Sequence, residues 1–177
     1  NILHNATAAV DDADGRFYVV MPLYSRGSLR DGSLRDGSRP AGHPLPQVEL
    51  WSAQLLSALA ALHGAGVLHR DIKPSNILLA DDDSIVLADF DLARRTADPR
   101  VTRGAQPLGS LAYMAPEVQS GGTATSASDV YSAGLVLHEL LTGRLERSAP
   151  GEGIPGPLGE VIAGLRPTPM ALKSPAR

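Results

Sequence analysis

The chain has 177 residues, of which 43% are hydrophobic and 20% charged, a balance typical of an ordinary globular domain with its own core. Its formal net charge of -3 argues against a nucleic-acid partner or a polybasic membrane patch, and the absence of cysteine excludes disulfides, thiolate nucleophiles and Cys-based zinc sites. No apolar run reaches the about 20 residues of a membrane span, and the cysteine-free composition suits a reducing compartment, so we expect a cytoplasmic chain without a membrane segment.

The first predicted elements form a β-hairpin. The runs TAAV and FYVVMPLY (Phe17 to Tyr24) have the β-branched and aromatic residues of strands, and Asp11 to Gly15 between them suits a turn, because Asp and Gly tolerate left-handed dihedrals. The repeat GSLRDGSLRDGS follows at Gly27 to Ser38. We predict that it is a duplicated surface loop that continues to Pro46.

A helix and a set of short strands follow. Pro46 is expected to open the helix, since apolar residues then recur every three or four positions as one stripe: Val48, Trp51, Leu55, Leu59 and Leu62. Gly64 or Gly66 can end it, because glycine readily takes the left-handed conformation after a helix. The segments VLH, NILLA and SIVLADF are predicted as strands, the last two joined by the turn Asp81 to Asp83.

The second half of the chain centres on one buried helix. No regular element is predicted from Leu92 to Glu117, and a loop of that length inside a domain is usually functional. The helix is expected from about Ser128 to Thr142, with Ser126 or Ser128 as its cap and Gly143 at its end. Its segment VYSAGLVLHELL is apolar nearly all round, which predicts burial. In the Pro- and Gly-rich tail, only LGEVIAGL has a convincing helical pattern.

The segment HRDIKPSN carries polar side chains whose spacing suggests phosphate chemistry. Asp71 is followed by Lys73 and then by Asn76, and Asp89 comes after the next apolar runs. Phosphoryl transfer requires the protein to position groups and neutralise charge. A carboxylate orients the attacking hydroxyl, an ammonium meets the transferring phosphate, and carboxylate and amide oxygens bind Mg²⁺. Each residue alone is more often a surface loop residue, but the set together predicts a phosphoryl-transfer site.

The chain resembles the eukaryotic-type protein kinases. HRDIKPSN is similar to their catalytic loop, and DFD (Asp89 to Asp91) stands where they have Asp-Phe-Gly. GSLAYMAPE (Gly109 to Glu117) is similar to the end of their activation segment, and SDVYSAGLVLHELLTG (Ser128 to Gly143) to the buried central helix of their large lobe. The resemblance implies an α+β, protein-kinase-like fold that consists mainly of the helical C-terminal lobe. Residues 1–22 would be a remnant of the small lobe (a β-hairpin and the start of the hinge), and residues 23–177 the large lobe, C-terminally incomplete.

The resemblance also implies a role for each site residue. Asp71 would be the catalytic base, Lys73 would contact the γ-phosphate of ATP, and Asn76 and Asp89 would bind Mg²⁺. Ser110 would replace the usual Thr beside the catalytic loop and keep its hydroxyl. The segments DIKPSN and SLAYMAPE favour transfer to Ser and Thr hydroxyls of protein substrates over transfer to Tyr.

The adenine of ATP would lie against the hinge. Met21 resembles the residue at the back of the ATP pocket, Pro22 to Tyr24 would form the hinge, and Leu78 would pack beneath the ring. The family bonds adenine through one hinge carbonyl and one hinge N–H. Pro22 lacks an N–H but keeps its carbonyl, and Tyr24 retains the donor, so the proline is compatible with this role.

Supporting residues are implied around this site. Arg70 would pair with a phosphorylated activation loop, for which Thr96 and Thr102 are candidates. Asp129 would anchor the backbone of the catalytic loop.

The sequence departs from the family pattern at several places. Asp91 replaces the glycine of Asp-Phe-Gly at a cost of roughly 1 kcal/mol, which predicts a stiffer loop with metal binding preserved. Glu117 needs a later Arg as ion-pair partner, and Arg177 is the candidate. The 177 residues contain no Gly-rich loop, no Val-Ala-Ile-Lys-like strand and no partner Glu for such a Lys, so we expect a kinase fragment that binds ATP poorly by itself. The first alternative is a non-catalytic pseudokinase or scaffold. The second, which the motifs favour less, is a small-molecule phosphotransferase.

Overall fold

The computed structural model describes residues 2–3, 7–10, 17–32, 42–89, 94–95, 111–146, 154 and 156–164. Its first elements are β1 (Thr7–Val10) and β2 (Phe17–Val20), which pair antiparallel with Thr7 opposite Val20 and Val10 opposite Phe17. The predicted hairpin is therefore confirmed. Near the chain start, the N–H of Leu3 donates to the carbonyl of Leu87 at 3.0 Å, so this segment also lies along a later strand.

The surface-loop prediction is wrong for the first copy of the pentapeptide repeat, which contains a short helix and buries Ser28 and Leu29, although Arg30 and Asp31 are exposed. Helix α1 (Leu29–Gly32) places Leu29 in the core at 1% exposure, and Ser28 forms an isolated bridge with Leu78. The Asp31 carboxylate closes this short helix by accepting hydrogen bonds from the N–H and the hydroxyl of Ser28, at 3.0 and 2.8 Å. An apolar side chain at this point gains more from the core than from solvent. The second copy, from Ser33, lies outside the described residues.

Helix α2 (Leu45–Gly64) forms one side of the core. It begins one residue before Pro46, and a proline is tolerated in a first helical turn because the N–H it lacks would be unpaired there. The predicted stripe is buried as expected: Val48, Trp51, Leu55, Leu59 and Leu62. Ala65 caps the helix, and Gly66 follows with φ 70°, the left-handed conformation expected at this end.

Short antiparallel strand pairs line one side of this helix. β3 (Val67–Leu68) pairs with β6 (Arg94–Arg95), while β4 (Ile77–Leu79) and β5 (Ile85–Leu87) form a hairpin in which Ile77 lies opposite Leu87. The three strands predicted from the sequence before Asp89 are confirmed. The acidic turn between β4 and β5 is held by Trp51, whose indole N–H donates to the carbonyl of Asp83 at 2.8 Å.

The expectation that no regular element lies between Leu92 and Glu117 was too broad. Strand β6 lies inside that range, and the short helix α3 (Pro116–Gln119) begins within it. A strand of two residues is too short to show an alternating pattern in the sequence. Strand β6 is identified only by its pairing with β3 in the structure.

Helix α4 (Ser126–Thr142) is the centre of the core and packs against α2. It begins two residues earlier than predicted. Thr125 is its cap, and Ser128 accepts the Thr125 N–H on its hydroxyl at 3.1 Å. Gly143 ends it with φ 69° and donates its N–H to the carbonyl of Glu139 at 2.8 Å, as predicted. The run Ala133, Leu135, Val136 and Leu137 is fully buried.

Helix α5 (Pro157–Gly164) confirms the helix predicted in the tail and contributes Ile162 to the core. Within the segments that the structure describes, no helix is both long and apolar enough to cross a membrane.

Candidate active site

Three of the predicted site residues converge on one carboxylate oxygen. Lys73 Nζ lies 2.7 Å from Asp71 Oδ2, and Asn76 Nδ2 donates to the same oxygen at 3.0 Å. The Asn76 amide nitrogen also donates to the main-chain carbonyl of Asp71 at 2.8 Å. The side chains of Asp71 and Lys73 are only 12% and 15% exposed, so this cluster keeps limited contact with solvent.

The backbone of the loop brings the fourth predicted residue to the same place. A 3₁₀ turn, Pro74–Asn76, leads directly into β4, and the N–H of Ala88 at the end of β5 donates to the carbonyl of Asn76 at 2.9 Å. Asp89 is the next residue, is exposed, and has a left-handed backbone with φ 65°. A non-glycine residue in this conformation is uncommon and is held by its surroundings, which is typical of functional sites.

A buried carboxylate on α4 holds the beginning of the loop. Asp129 is 2% exposed; its Oδ2 accepts the N–H of His69 at 2.9 Å and its Oδ1 accepts the N–H of Arg70 at 2.8 Å. Arg70 has φ 69°, so these bonds fix a strained turn immediately before Asp71. The anchoring predicted for Asp129 is thus what the structure shows.

His69 ties the two halves of the site together as a packing residue. It is fully buried, its Nδ1 accepts the N–H of Asp71 at 3.3 Å, and its Nε2 therefore carries the hydrogen and donates to the carbonyl of Ala88 at 3.1 Å. Burial lowers its pKa, so the ring is neutral; the bond to Ala88 and the charges of nearby carboxylates oppose the shift. Those carboxylates are Asp129, Asp71 and Asp89. Asp71 and Asp89 are therefore both near enough to this ring to affect its pKa.

The donor set fits a magnesium ion held together with phosphates. Because the Asn76 nitrogen is bonded to Asp71, its Oδ1 is the amide atom that can bind a metal. The Ser75 hydroxyl donates a long hydrogen bond of 3.5 Å to that oxygen. One amide oxygen and the Asp89 carboxylate suit Mg²⁺, which usually takes one or two protein carboxylates and completes its shell with waters and phosphates. In the described ranges, no group of three His, Cys, Asp or Glu could bind a metal on protein ligands alone.

Most residues of the predicted hinge are exposed to solvent. Met21 is 45% and Leu23 92% exposed, Pro22 is exposed and Tyr24 is half-buried. Leu78 is half-buried and lies on the face of β4 opposite to Ile77 and Leu79. Its bridge to Ser28 places it next to the segment that follows the predicted hinge.

The hinge exit, residues 25–31, is fixed by contacts that the sequence did not reveal. Arg26 Nη1 lies 2.5 Å from Asp83 Oδ1 and 2.9 Å from the carbonyl of Ala80, and the Ser25 hydroxyl donates to Asp81 Oδ1 at 3.1 Å. Gly27 has φ 72°, and a Cβ there would lie 2.9 Å from the Asp31 carboxylate, so only glycine suits the turn. The contacting residues lie about 55 positions apart in the chain. A single sequence therefore does not show that this basic residue meets the acidic turn.

His63 was also missed as a site residue. Its Nε2 lies 2.9 Å from Asp129 Oδ2, the oxygen that accepts the N–H of His69. In the sequence it is only a histidine at the end of an amphipathic helix, where a basic residue also suits the helix dipole.

Other predicted residues were tested only in part. Glu117 accepts the hydroxyl hydrogen of Ser128 on Oε1 at 2.8 Å, which links α3 to the start of α4. Among the residues described, none accepts a hydrogen bond from the buried Nε of Arg70. Six residues lie outside the described ranges: Phe90, Asp91, Thr96, Thr102, Ser110 and Arg177.

The profile of the protein kinase domain family matches residues 1–151, and the chain belongs to this family. The serine/threonine-protein kinase PknL of Mycobacterium tuberculosis is 43% identical over 143 residues, which is 79% of this chain and 35% of PknL. The serine/threonine-protein kinase PrkC of Bacillus subtilis is 37% identical over 134 residues, 76% of this chain and 20% of PrkC. PkaA of Streptomyces coelicolor, also a serine/threonine-protein kinase, is 48% identical over 98 residues, 54% of this chain and 18% of PkaA.

The family match confirms the α+β, kinase-like fold that the motifs predicted. Each of these relatives is named a serine/threonine-protein kinase, which is the class that the motifs predicted. The chain spans about a third or less of the length of these curated relatives, with 35%, 20% and 18% covered.

Proposed function

We propose that the chain supplies the large-lobe half of a protein serine/threonine kinase active site, which transfers the γ-phosphate of ATP to Ser and Thr hydroxyls of protein substrates. One observation carries the proposal: Lys73 and Asn76 both bond to Oδ2 of Asp71, at 2.7 and 3.0 Å. A carboxylate, an ammonium and an amide at one point are what a positioned phosphoryl transfer needs.

In this proposal Asp71 orients the substrate hydroxyl and accepts its proton. Lys73 balances the charge of that carboxylate and contacts the transferring phosphate, because an ammonium can stabilise the negative charge on both groups. Asn76 and Asp89 would hold Mg²⁺, which when bound neutralises charge on the phosphates. Ser110 would supply its hydroxyl beside the loop.

ATP would bind with its adenine at the hinge. The Pro22 carbonyl and the Tyr24 N–H would bond the ring edge, Met21 would close the back of the pocket, and Leu78 would pack beneath the ring. The half-buried position of Leu78 beside the hinge exit supports this placement. We assign residues 1–22 to the small lobe and 23–177 to the large lobe, and we propose a cytoplasmic location, where ATP is available.

Arg70 would bind a phosphorylated residue of the activation loop, with Thr96 and Thr102 as candidates. Its buried Nε, which no described residue bonds, supports a role toward an anion. The guanidinium suits phosphate, because its planar donors can bind two oxygens at once.

Substitution of Asp71 by Asn tests the proposal. Transfer of phosphate from Mg²⁺-ATP to a Ser/Thr peptide library should fall by about 10²–10⁴-fold, because Asn cannot accept the proton. Asp82→Asn, in the exposed turn between β4 and β5, is the matched control and should leave transfer unchanged.

A wild-type protein that shows no transfer, or an Asp71→Asn variant with wild-type transfer, would favour the pseudokinase or scaffold alternative. Binding of Mg²⁺-ATP, measured as the shift in the thermal unfolding midpoint, distinguishes the kinase from a scaffold. A scaffold that binds no nucleotide shows no shift, whereas the kinase shows one that Asp89→Asn reduces.

A further inference from the structure

We propose that Gln119 is a positioning residue of this active site, which sets the place of Ser110 by holding the backbone at Leu111. The effect on transfer rests on the proposed kinase function, in which Ser110 supplies its hydroxyl beside the catalytic loop. The hydrogen bond itself is a contact within the chain and can be tested without activity. Neither the motifs nor the family resemblance assigned a role to this glutamine.

The side-chain amide of Gln119 reaches back along the chain to a backbone carbonyl. Its Nε2 donates to the carbonyl of Leu111 at 2.5 Å, from the last position of α3 and across eight positions of sequence. The N–H of Met114 lies 3.4 Å from the same carbonyl, which makes a long and weak bond. Of these two donors, the side chain of Gln119 therefore holds the carbonyl more firmly.

The short helix that carries Gln119 is itself fixed in place. Oε1 of Glu117 accepts the hydroxyl hydrogen of Ser128 on α4 at 2.8 Å, and the carbonyl of Glu117 accepts the N–H of Gly122 at 2.8 Å. Ala115, directly before the helix, is 1% exposed. A side chain that extends from such a fixed helix can determine the position of the carbonyl that it bonds.

The segment before α3 is buried at one end and exposed at the other. Tyr113 is 6% exposed, and its hydroxyl donates to Glu139 of α4. Leu111, two residues earlier, is 41% exposed, so burial of its side chain contributes less to its position. The polar bond from Gln119 acts at this more exposed end.

The residue before Leu111 is the one that matters chemically. Ser110 precedes it directly in the chain, and peptide units are planar and rigid, so a fixed carbonyl at Leu111 limits the movement of its neighbour. In the proposed function the Ser110 hydroxyl acts beside Asp71. Rates of positioned reactions fall steeply when a group shifts by even about 1 Å, so a bond one residue away can affect transfer.

Substitution of Gln119 by Met and by Lys separates the hydrogen bond from the bulk of the side chain. Met keeps an unbranched chain of similar length without a donor, whereas Lys supplies an N–H that can reach the carbonyl. Ser120→Ala is the matched control. The Ser120 hydroxyl donates to the carbonyl of Pro116 at 2.9 Å, an exposed bond within the same helix that does not involve Leu111.

The first measurement does not depend on activity. The NMR shift of the Leu111 carbonyl carbon reports directly on the bond, and the exchange of the Met114 amide reports on the turn next to it. Gln119→Met should move the carbonyl shift upfield and raise the exchange by about 5-fold, the equilibrium equivalent of losing one neutral hydrogen bond. Gln119→Lys should restore the wild-type values, and Ser120→Ala should leave them unchanged. If Gln119→Met does not fold, Gln119→Glu, which has no donor at neutral pH, gives the same comparison.

The second measurement uses Mg²⁺-ATP and a Ser/Thr peptide. Gln119→Met should lower kcat by about 5-fold with little change in the KM for ATP, because the hinge that would bind adenine is a different segment, and Gln119→Lys should recover most of the loss. In a Ser110→Ala background, Gln119→Met should cause little further loss, since Gln119 acts through Ser110.

Two results would overturn the positioning role. One is a Leu111 carbonyl shift in Gln119→Met that equals that of Ser120→Ala, and the other is an equal loss of kcat with and without Ser110. Absence of transfer in the wild type would overturn the kinase proposal, and the carbonyl shift would then still decide whether Gln119 holds Leu111.

Discussion

The loop from His69 to Asn76 and the hinge exit are held in different ways. The loop from His69 to Asn76 is tied to α4 through Asp129, which is 2% exposed. The hinge exit is tied to the acidic turn through Arg26 and Asp83, whose side chains are 40% and 59% exposed. The hinge before it exposes Leu23 almost completely.

This difference shows which of the two regions is held firmly by its polar contacts. Buried, charge-assisted hydrogen bonds are costly to lose, so the loop backbone at His69 and Arg70 is held firmly. Exposed ion pairs contribute little, so the hinge exit is held weakly by its side-chain contacts and depends on the packing of Leu29. The following substitutions test that contrast.

The largest effect is expected from removal of the buried anchor. Asp129→Ala leaves the donors of His63, His69 and Arg70 without their acceptor, and breaking a buried charged contact of this kind destabilises by about 3–5 kcal/mol. The free energy of unfolding from urea titration measures it. Glu160→Ala, on the exposed face of α5, is the control and should change little. A loss under about 1 kcal/mol would show that the loop is held by something other than Asp129.

The next effect concerns the hydrophobic side of the hinge exit. Leu29→Ala removes a fully buried side chain and should cost about 2–5 kcal/mol in the same titration. Leu34→Ala, the equivalent residue of the second repeat copy, is the matched variant. If the first copy alone fills the core position, the double variant loses no more than the sum of the two single losses. A larger loss would mean that the second copy can take the place of the first.

The same contrast explains what could be predicted from the sequence. The loop residues were found because phosphoryl transfer needs specific residue types at short spacing, and Asp71, Lys73 and Asn76 lie within six positions. The helices were found because their apolar stripes are long. The burial of Leu29 was not found, because a five-residue repeat rich in Gly, Ser and Asp has loop composition, and the bridge of the neighbouring Ser28 to Leu78 has no signal in the sequence.

The contacts of His63 and Arg26 could not be predicted either, and for a common reason. Each partner lies more than 50 positions away, at Asp129 and Asp83, and a single sequence does not show which distant charges meet. Two helices begin one or two residues before their predicted starts, at Leu45 and Ser126. Helix ends depend on local cap geometry more than on composition.

Acidification should lower the free energy of unfolding, by less than the two core substitutions above and by more than the surface substitution below. Burial lowers the pKa of His69 in the loop, of His43 near the hinge exit and of His138 on α4. Unfolded histidine has a pKa of about 6.5, so below that pH the unfolded chain binds more protons than the folded chain. The stabilisation is fully present above about pH 6.5 and is lost as the pH falls toward the lowered folded values.

Urea midpoints measured between pH 8 and pH 5 check this dependence. They should decrease on acidification, and His43→Phe, which keeps an aromatic ring against Trp51, should make the decrease shallower. Midpoints that stay level or rise toward pH 5 would show that these histidines are protonated in the folded chain.

The smallest effect is expected at the surface tie of the hinge exit. Arg26→Ala removes the pair with Asp83 at 2.5 Å and the bond to the carbonyl of Ala80, yet both side chains are well exposed. Solvent screening and the entropy of ordering a long side chain limit such a pair to about 0–1 kcal/mol. A double-mutant cycle with Asp83→Ala isolates the coupling, and 0.5 M salt should reduce it further, since the screening length then falls below about 5 Å. A coupling above about 2 kcal/mol that persists in salt would contradict the contrast, because the hinge exit would then be held by its charges as firmly as Asp129 holds the catalytic loop.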